Sequence, residues 1–299
     1  MCTSVLNMAA RWSDPGLATS VIRILSSRRA TLAPYHYEAL IDAYAGFRDL
    51  KTAFRVLTIM AKAGFEPDSS ATRSLFLYLS SDPSLPQKAW YTVEHMYGDS
   101  HIIPTAAINI IIESQIAIHL FDEAVETYKR LHTICEAGPN TETFNVLLQG
   151  CAQRNRKDLA MFLASEMQAL RVPANHLTYD RLILVCLKED DYEDAFRYLE
   201  EMVTVGRDRF DDSGSGKKGW WMRGGTARMM VHRCVMSGDE RAYEILKGMN
   251  ERGLGNSKLA AWVNENWKGP KPGMVEVKRA EQTQQSLGGE EKLKKWAAM

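Results

Sequence analysis

The chain has no apolar run near the ~20 residues that a membrane-spanning helix needs, so nothing in it marks a transmembrane segment. It has no excess of charge of either sign. Lys plus Arg and Asp plus Glu number 37 each, so a site for a polyanion must come from local placement rather than from a basic surface overall. It has no CxxC pair. The five cysteines, at 2, 135, 151, 186 and 234, form an odd set and read as reduced thiols in helix cores, hence a reducing compartment. The sequence also lacks HExxH, a Cys/His cluster at zinc spacing, GxSxG and a dinucleotide fingerprint. "GSGKKG" (214–219) has neither the spacing of a phosphate loop nor a strand before it. The histidines are scattered, with His36, His119 and His132 read as solvent-facing or junction residues. The carboxylates Glu189, Asp190 and Asp191 fall at a helix-to-helix turn and read as caps. These absences point away from an enzyme, a metal, a cofactor and a small-molecule substrate.

What is present is a period. Ala53, Val56, Leu57 and Met60 form the i, i+3, i+4, i+7 stripe of one helix face. The stripe recurs from Ala18, Ala89, Ala124, Ala160, Ala195 and Ala242. Successive alanines lie 35, 36, 35, 36, 35 and then 47 residues apart, so the last step carries an insertion. A second stripe precedes the alanine by about sixteen residues, first as Tyr37, Leu40, Ile41 and Tyr44. Its copies begin at Thr72, Ile108, Phe144 and Tyr179. Each unit is therefore a pair of short amphipathic helices. Asp49, Asp122 and Asp191 stand where a carboxylate can cap the second helix, and Pro86 suits a helix start. Gly64 suits a left-handed helix ending before Pro67, with Gly206 and Gly253 at the matching places and Pro104, Pro139 and Pro173 at the matching exits. A single hairpin cannot bury its apolar faces alone, but stacked hairpins can, which predicts a solenoid.

The expected organisation is a partial first repeat at 1–33 and repeats at 34–68, 69–104, 105–140, 141–175 and 176–210. A loop insertion at 211–222, a degenerate final repeat at 223–257 and a polar, disordered tail at 258–299 follow. The tail could hold a short helix at "GEEKLKKWAAM". The first thirty residues carry four arginines and one acid, a composition that also fits a mitochondrial presequence. The phase of Ala18 favours a repeat instead, with Met1 then an internal or mis-assigned start. In the insertion, Trp220 and Trp221 with Lys217, Lys218 and Arg223 could stack bases and touch phosphates. Packing of one tryptophan onto the last helices, with the lysines in solvent, is the better reading.

No unit shows the Trp-x-x-Leu-Gly-x-x-Tyr pattern of tetratricopeptide repeats. "HYEALIDAY" and "AFRVLTIMAKAGFEPD" resemble instead a pentatricopeptide repeat, at Tyr37, Leu40, Ile41, Ala53, Met60, Gly64 and the closing Pro67 and Asp68. "TFNVLLQGCAQ" and "TYDRLILVCLK" repeat the first helix of that family, here in a form resembling its fungal mitochondrial members. The resemblance covers about 1–210 and implies an all-α, right-handed superhelical solenoid that binds single-stranded organellar RNA in its processing, stability or translation. It also implies a mitochondrial location. One base would be read per repeat by two or three side chains.

Carried over by position, the first readers are Glu38, Arg73, Asn109, Asn145 and Asp180, and the closing readers are Asp68, Thr105, Asn140 and Asn175. Asn/Asn pairs of this kind tend to favour pyrimidines in the family. Capping is an equal reading for Asn140 and Asn175, beside helix boundaries. The alternative function is a protein-interaction scaffold in mitochondrial translation or complex assembly. Zero net charge and irregular readers support it. A basic inner groove would favour RNA, and an apolar or mixed one the scaffold.

Overall fold

The computed structural model describes residues 2–209, 219–255 and 257–268, and every regular element among them is an α-helix. The helices come in pairs: α1 (Cys2–Arg11) and α2 (Pro15–Ser27), α3 (Pro34–Gly46) and α4 (Leu50–Lys62), α5 (Ser69–Leu79) and α6 (Leu85–Gly98). Next come α7 (Thr105–Ala117) and α8 (Phe121–Ile134), α9 (Thr141–Arg154) and α10 (Lys157–Ala169), α11 (His176–Lys188) and α12 (Tyr192–Gly206). The series ends with α13 (Gly224–Ser237) and α14 (Arg241–Glu251), followed by the single helix α15 (Ser257–Asn266). The fold is all-α and built of two-helix repeats. The chain divides into two compact units, residues 1–178 and 179–299.

In the first unit, the first helices form one layer, with α1 on α3, α3 on α5, α5 on α7 and α7 on α9. The second helices line the other side, with α4 on α6. Periodicity fixes this arrangement. The seven phase-setting alanines, Ala18, Ala53, Ala89, Ala124, Ala160, Ala195 and Ala242, are all completely buried. A methyl group at that place lets the paired helices approach closely, and the stripes on either side fill the space between layers. Residues 2–27, where a partial repeat is expected from sequence, hold both helices of a pair, with Leu6 and Ala9 of α1 buried.

Turn chemistry departs from the sequence expectation at several places. Asp49 and Asp191 cap α4 and α12 by accepting the backbone N–H of Thr52 (3.0 Å) and Asp194 (3.3 Å). Asp122 does not cap: Leu120 holds that place and Asp122 lies in the first turn of α8, where its charge faces the positive end of the helix dipole. Gly64 and Gly253 have positive φ, as a helix ending requires, but Gly206 closes α12 without it. Gly206 is needed for space instead. A Cβ there would lie 2.4 Å from Trp220. Most turns between paired helices place a non-glycine residue in the left-handed region: Ser13, Arg48, His119, Asn155 and Asp190. His36 is buried rather than solvent-facing, because its Nδ1 accepts the Ala33 N–H at 2.8 Å and closes the start of α3.

The second unit packs α13 against α12, α14 and α15. Trp220 is 4 % exposed and Trp221 half-buried against Gly248, with Arg209 and Arg252 over the two rings at 4.9 and 4.4 Å. Both tryptophans are thus packing residues, which removes them as base-stacking platforms. Lys217, Lys218 and the centre of the insertion lie outside the described residues. Helix α15 occupies the start of the expected polar tail. Val263 is buried, Trp262 stacks on His232 at 4.7 Å and Trp267 meets Tyr243 edge-on at 5.2 Å. The remaining tail, including "GEEKLKKWAAM", lies outside the described residues. None of the five cysteines is in a disulfide. Cys135, Cys151, Cys186 and Cys234 are buried, while Cys2 is only partly covered. Burial pushes the Cys151 and Cys234 thiols up to about 12, so neither is a thiolate at neutral pH.

Candidate nucleic-acid interface

The start of each first helix fixes a register. Ala33, Asp68, Pro104 and Asn140 are the N-caps of α3, α5, α7 and α9, and Asn175 immediately precedes α11. Five residues after each stands Glu38, Arg73, Asn109, Asn145 and Asp180. The closing place of the second repeat therefore belongs to Pro104, not to Thr105. Thr105 is the first residue of α7. Its hydroxyl donates to the Gly138 carbonyl at 3.0 Å and sits 3.3 Å from Cys135 Sγ, so it ties two junctions together rather than facing outward. A proline at the cap gives no side-chain donor or acceptor, which leaves the second repeat without a polar closing residue.

The third and fourth repeats carry the same constellation twice. Asn140 Oδ1 accepts the backbone N–H of Thr143 at 3.0 Å, and the Asn140 N–H donates to Thr143 Oγ1 at 3.1 Å, a reciprocal cap. Asn109 Nδ2 reaches from the preceding first helix, α7, and donates to the same Asn140 Oδ1 at 3.1 Å. Thr143 Oγ1 donates to Asn109 Oδ1 at 2.7 Å. One repeat later, Thr178 N–H donates to Asn175 Oδ1 at 3.0 Å and Asn175 N–H to Thr178 Oγ1 at 3.1 Å. Asn145 Nδ2 donates to Asn175 Oδ1 at 3.2 Å, and Thr178 Oγ1 donates to Asn145 Oδ1 at 2.8 Å. Because a backbone N–H can only donate, the atoms it meets on Asn140 and Asn175 must be oxygens. The orientation of all four amides follows.

This geometry divides the four asparagines by role. Asn109 and Asn145 are each 4 % exposed, and their amides bridge to the next repeat. Asn140 and Asn175 are half-buried, and their Nδ2 groups donate to no group among the described residues. The outward-facing donors are therefore on the capping asparagines, with Asn109 and Asn145 holding them in place. Thr143 and Thr178 complete the arrangement and went unassigned from sequence. Their signal is the phrase Asn-x-x-Thr-x-Asn at 140–145, echoed as Asn-x-x-Thr-x-Asp at 175–180.

Of the other expected readers, Glu38 and Asp180 also reach the next first-helix start, with different chemistry. Asp180 is buried, and its Oδ1 accepts the backbone N–H of Arg223 at 2.8 Å, capping α13 within the second unit. Asp68 caps α5 through the N–H groups of Ser70 (2.9 Å) and Ala71 (3.0 Å). Glu38 hydrogen-bonds Ser70. Burial, then Asp68 and Asp42, raise its carboxyl above the ordinary range. Arg73 is exposed.

Carboxylates dominate the electrostatics of this layer. Glu38 and Asp42 lie one turn apart on α3, and Glu113 holds on α7 the place that Asp42 holds on α3. Burial raises Asp42. Burial raises Glu142 too, and the charges of Glu113, Asp68 and Glu66 add to the shift, against a hydrogen bond from Asn109. At these places the layer is therefore acidic rather than basic. Among the described residues no group of three or more His, Cys, Asp or Glu side chains could hold a metal ion.

A family model described as a pentatricopeptide repeat-containing protein matches residues 1–131, and a model of the pentatricopeptide repeat itself matches 142–172 and 177–207. A mitochondrial pentatricopeptide repeat-containing protein of Arabidopsis thaliana is 23 % identical over 250 residues, covering 79 % of this chain and 38 % of the relative. A second Arabidopsis protein of that description is 26 % identical over 195 residues, covering 64 % and 41 %. The chain thus spans about two fifths of the length of these relatives. Among solved structures, the pentatricopeptide repeat protein PPR10 in complex with an 18-nucleotide psaJ RNA element aligns with a TM-score of 0.46 at 15 % identity, covering 89 % of this chain and 40 % of that one. The nuclear proteinaceous RNase P 2 of A. thaliana aligns at 0.38 and 12 %, covering 78 % and 41 %. With family models matching repeats from the first helix to residue 207, the chain belongs to the pentatricopeptide repeat family.

Proposed function

We propose that the chain binds single-stranded RNA without acting on it, and that its third and fourth repeats read two adjacent bases. The observation that carries this reading is the duplicated amide constellation, 109/140/143 and 145/175/178, set one repeat apart. Asn140 and Asn175 each present amide donors on an oriented carboxamide, which suits an acceptor on a base edge such as a pyrimidine carbonyl. Glu38, Asp68 and Asp180 do not read bases on this account, because these acids are held by backbone N–H groups or repelled by one another. The acids of the first repeat, Glu38, Asp42, Glu66 and Asp68, oppose phosphate, and the second repeat lacks a polar closing residue, so the RNA contact begins at the third repeat. The family and the mitochondrial relative support action on organellar RNA, in processing, stability or translation.

The carboxylates Glu38, Asp42 and Asp68 favour a second reading for the first repeats, a protein-interaction scaffold whose partner brings basic groups to this layer. Crosslinking of bound RNA to the full chain, with the attachment sites mapped, separates the two. Crosslinks concentrated from residue 105 onward support RNA reading by the later repeats. An absence of RNA crosslinks, with protein crosslinks at Glu38, Asp42 or Asp68, supports the scaffold.

A further inference from the structure

On the side of the second helices, α8, α9 and α10 enclose a cavity of about 260 Å³ that the amide constellation does not use. Its walls include Leu147, Leu163, Phe162 and Tyr128, together with His132 and Glu166. Tyr128 is 4 % exposed, and its hydroxyl and Glu166 Oε2 are both buried. They are neighbours but make no well-formed hydrogen bond with one another or with other groups. His132 Nε2 stands 3.9 Å from Glu166 Oε1, beyond hydrogen-bond distance. Lys129, also on the wall, is held 3.3 Å from Glu126. Phe162 at the lip is 60 % exposed. The apolar slot thus holds a buried carboxylate oxygen without a donor and a phenol hydroxyl without a well-placed acceptor.

The adjacent groove of the same layer shows what such a slot takes. Arg130 and Glu166 occupy the same place on α8 and α10, six residues after Ala124 and Ala160, and Glu94 lies one position earlier in the register of α6. Between α6 and α8 the chain supplies its own occupant: Arg130 lies over the Trp90 ring at 4.7 Å and pairs with Glu94. Five cations make six contacts with aromatic rings among the described residues, and each cation is an arginine. A guanidinium is planar, stacks on aromatic faces and gives up its hydration more readily than an ammonium does.

We propose that the slot between α8 and α10 receives an arginine side chain from a partner protein, its alkyl stem along Leu147 and Leu163, its guanidinium between Phe162 and the Glu166 carboxylate. The Tyr128 hydroxyl would stand beside that carboxylate, as a polar neighbour of the incoming group. This docking is independent of RNA reading and lies in the other helix layer.

The test is a titration of the full chain, methyl-labelled at leucine, followed by NMR. The probes are N-acetyl-arginine-N-methylamide, its neutral citrulline analogue and the lysine analogue. The arginine probe is expected to move the Leu147, Leu159 and Leu163 methyl signals in a saturable way, with Glu166→Gln weakening it at least tenfold and Phe162→Ala several-fold. Far-UV circular dichroism should stay unchanged in both variants, and Tyr128→Phe provides a second route if one of them unfolds. The citrulline analogue should fail. Equal binding by citrulline marks a plain apolar slot, and equal binding by lysine removes the guanidinium preference. Methyl shifts that depend on protein concentration without probe mark self-association. Each of these, or silence of the three leucines, overturns the proposal.

Discussion

At the residue scale, the asparagines and Glu142 make separable predictions. Replacing Asn140 or Asn175 with alanine removes a helix cap and should cost ~1 kcal/mol of stability, read from chemical denaturation. The same variants should each lose ~1–3 kcal/mol of selectivity at one base, by analogy with other base-edge contacts. Asn109→Ala differs, because it leaves the cap of α9 in place and removes only the amide that orients it. Helix content should hold while base selectivity falls. Glu142 gives a pH prediction. Its folded-state pKa is raised, so the folded chain binds the proton more tightly than the unfolded one, and this carboxylate's destabilising effect grows as pH rises through the carboxylate range. Glu142→Gln keeps an oxygen for Asn109 and removes the charge. It should therefore raise Tm at neutral pH by a few degrees at most, with the gain vanishing in acid. A gain that persists below the carboxylate range would contradict this origin. If RNA lies along these repeats, the same substitution should also tighten RNA binding.

At the scale of the helix pair, close approach is the governing feature. Ala160 is fully buried where α10 meets its partner α9, and Ala160→Leu should cost ~1–3 kcal/mol by overpacking, measured as a shift in denaturant midpoint. In the second unit, Gly206→Ala must displace the Trp220 ring and should lower Tm measurably, whereas an ordinary exposed helix glycine would gain from the same change. The stripes that define these pairs were legible because a helix face is a property of five to eight consecutive residues. The third junction was not. Pro104 takes a place that is polar at Asp68, Asn140 and Asn175, so counting from a polar residue lands one position late on Thr105. The left-handed turns at Arg48, His119 and Asp190 were equally hidden, since no glycine marks them. Helix α15 is held by two tryptophan contacts and one buried valine, too few for a stripe to stand out.

Across the chain, what sequence cannot show is which residues become neighbours when repeats stack. Asn109 and Asn145 were identified as site residues from their place in the repeat. That they are buried, and lean on the asparagine beside the start of the next first helix, depends on contacts made some thirty residues away. The acids are similar. Glu38, Asp42, Glu113 and Glu142 are scattered over a hundred residues of a chain with zero net charge, and only stacking of first helices gathers them. The account therefore predicts a binding surface that is divided along the array, with RNA held by the third repeat onward and excluded from the first two. The most direct test is selection of binding RNAs from a random single-stranded pool by the full chain, repeated with Asn140→Ala and Asn175→Ala. The account predicts a short preferred motif in which each variant relaxes one position, the two positions being adjacent, with the rest of the motif intact. A pool that yields no preferred sequence, or a preference unchanged in both variants, would contradict base reading by this chain.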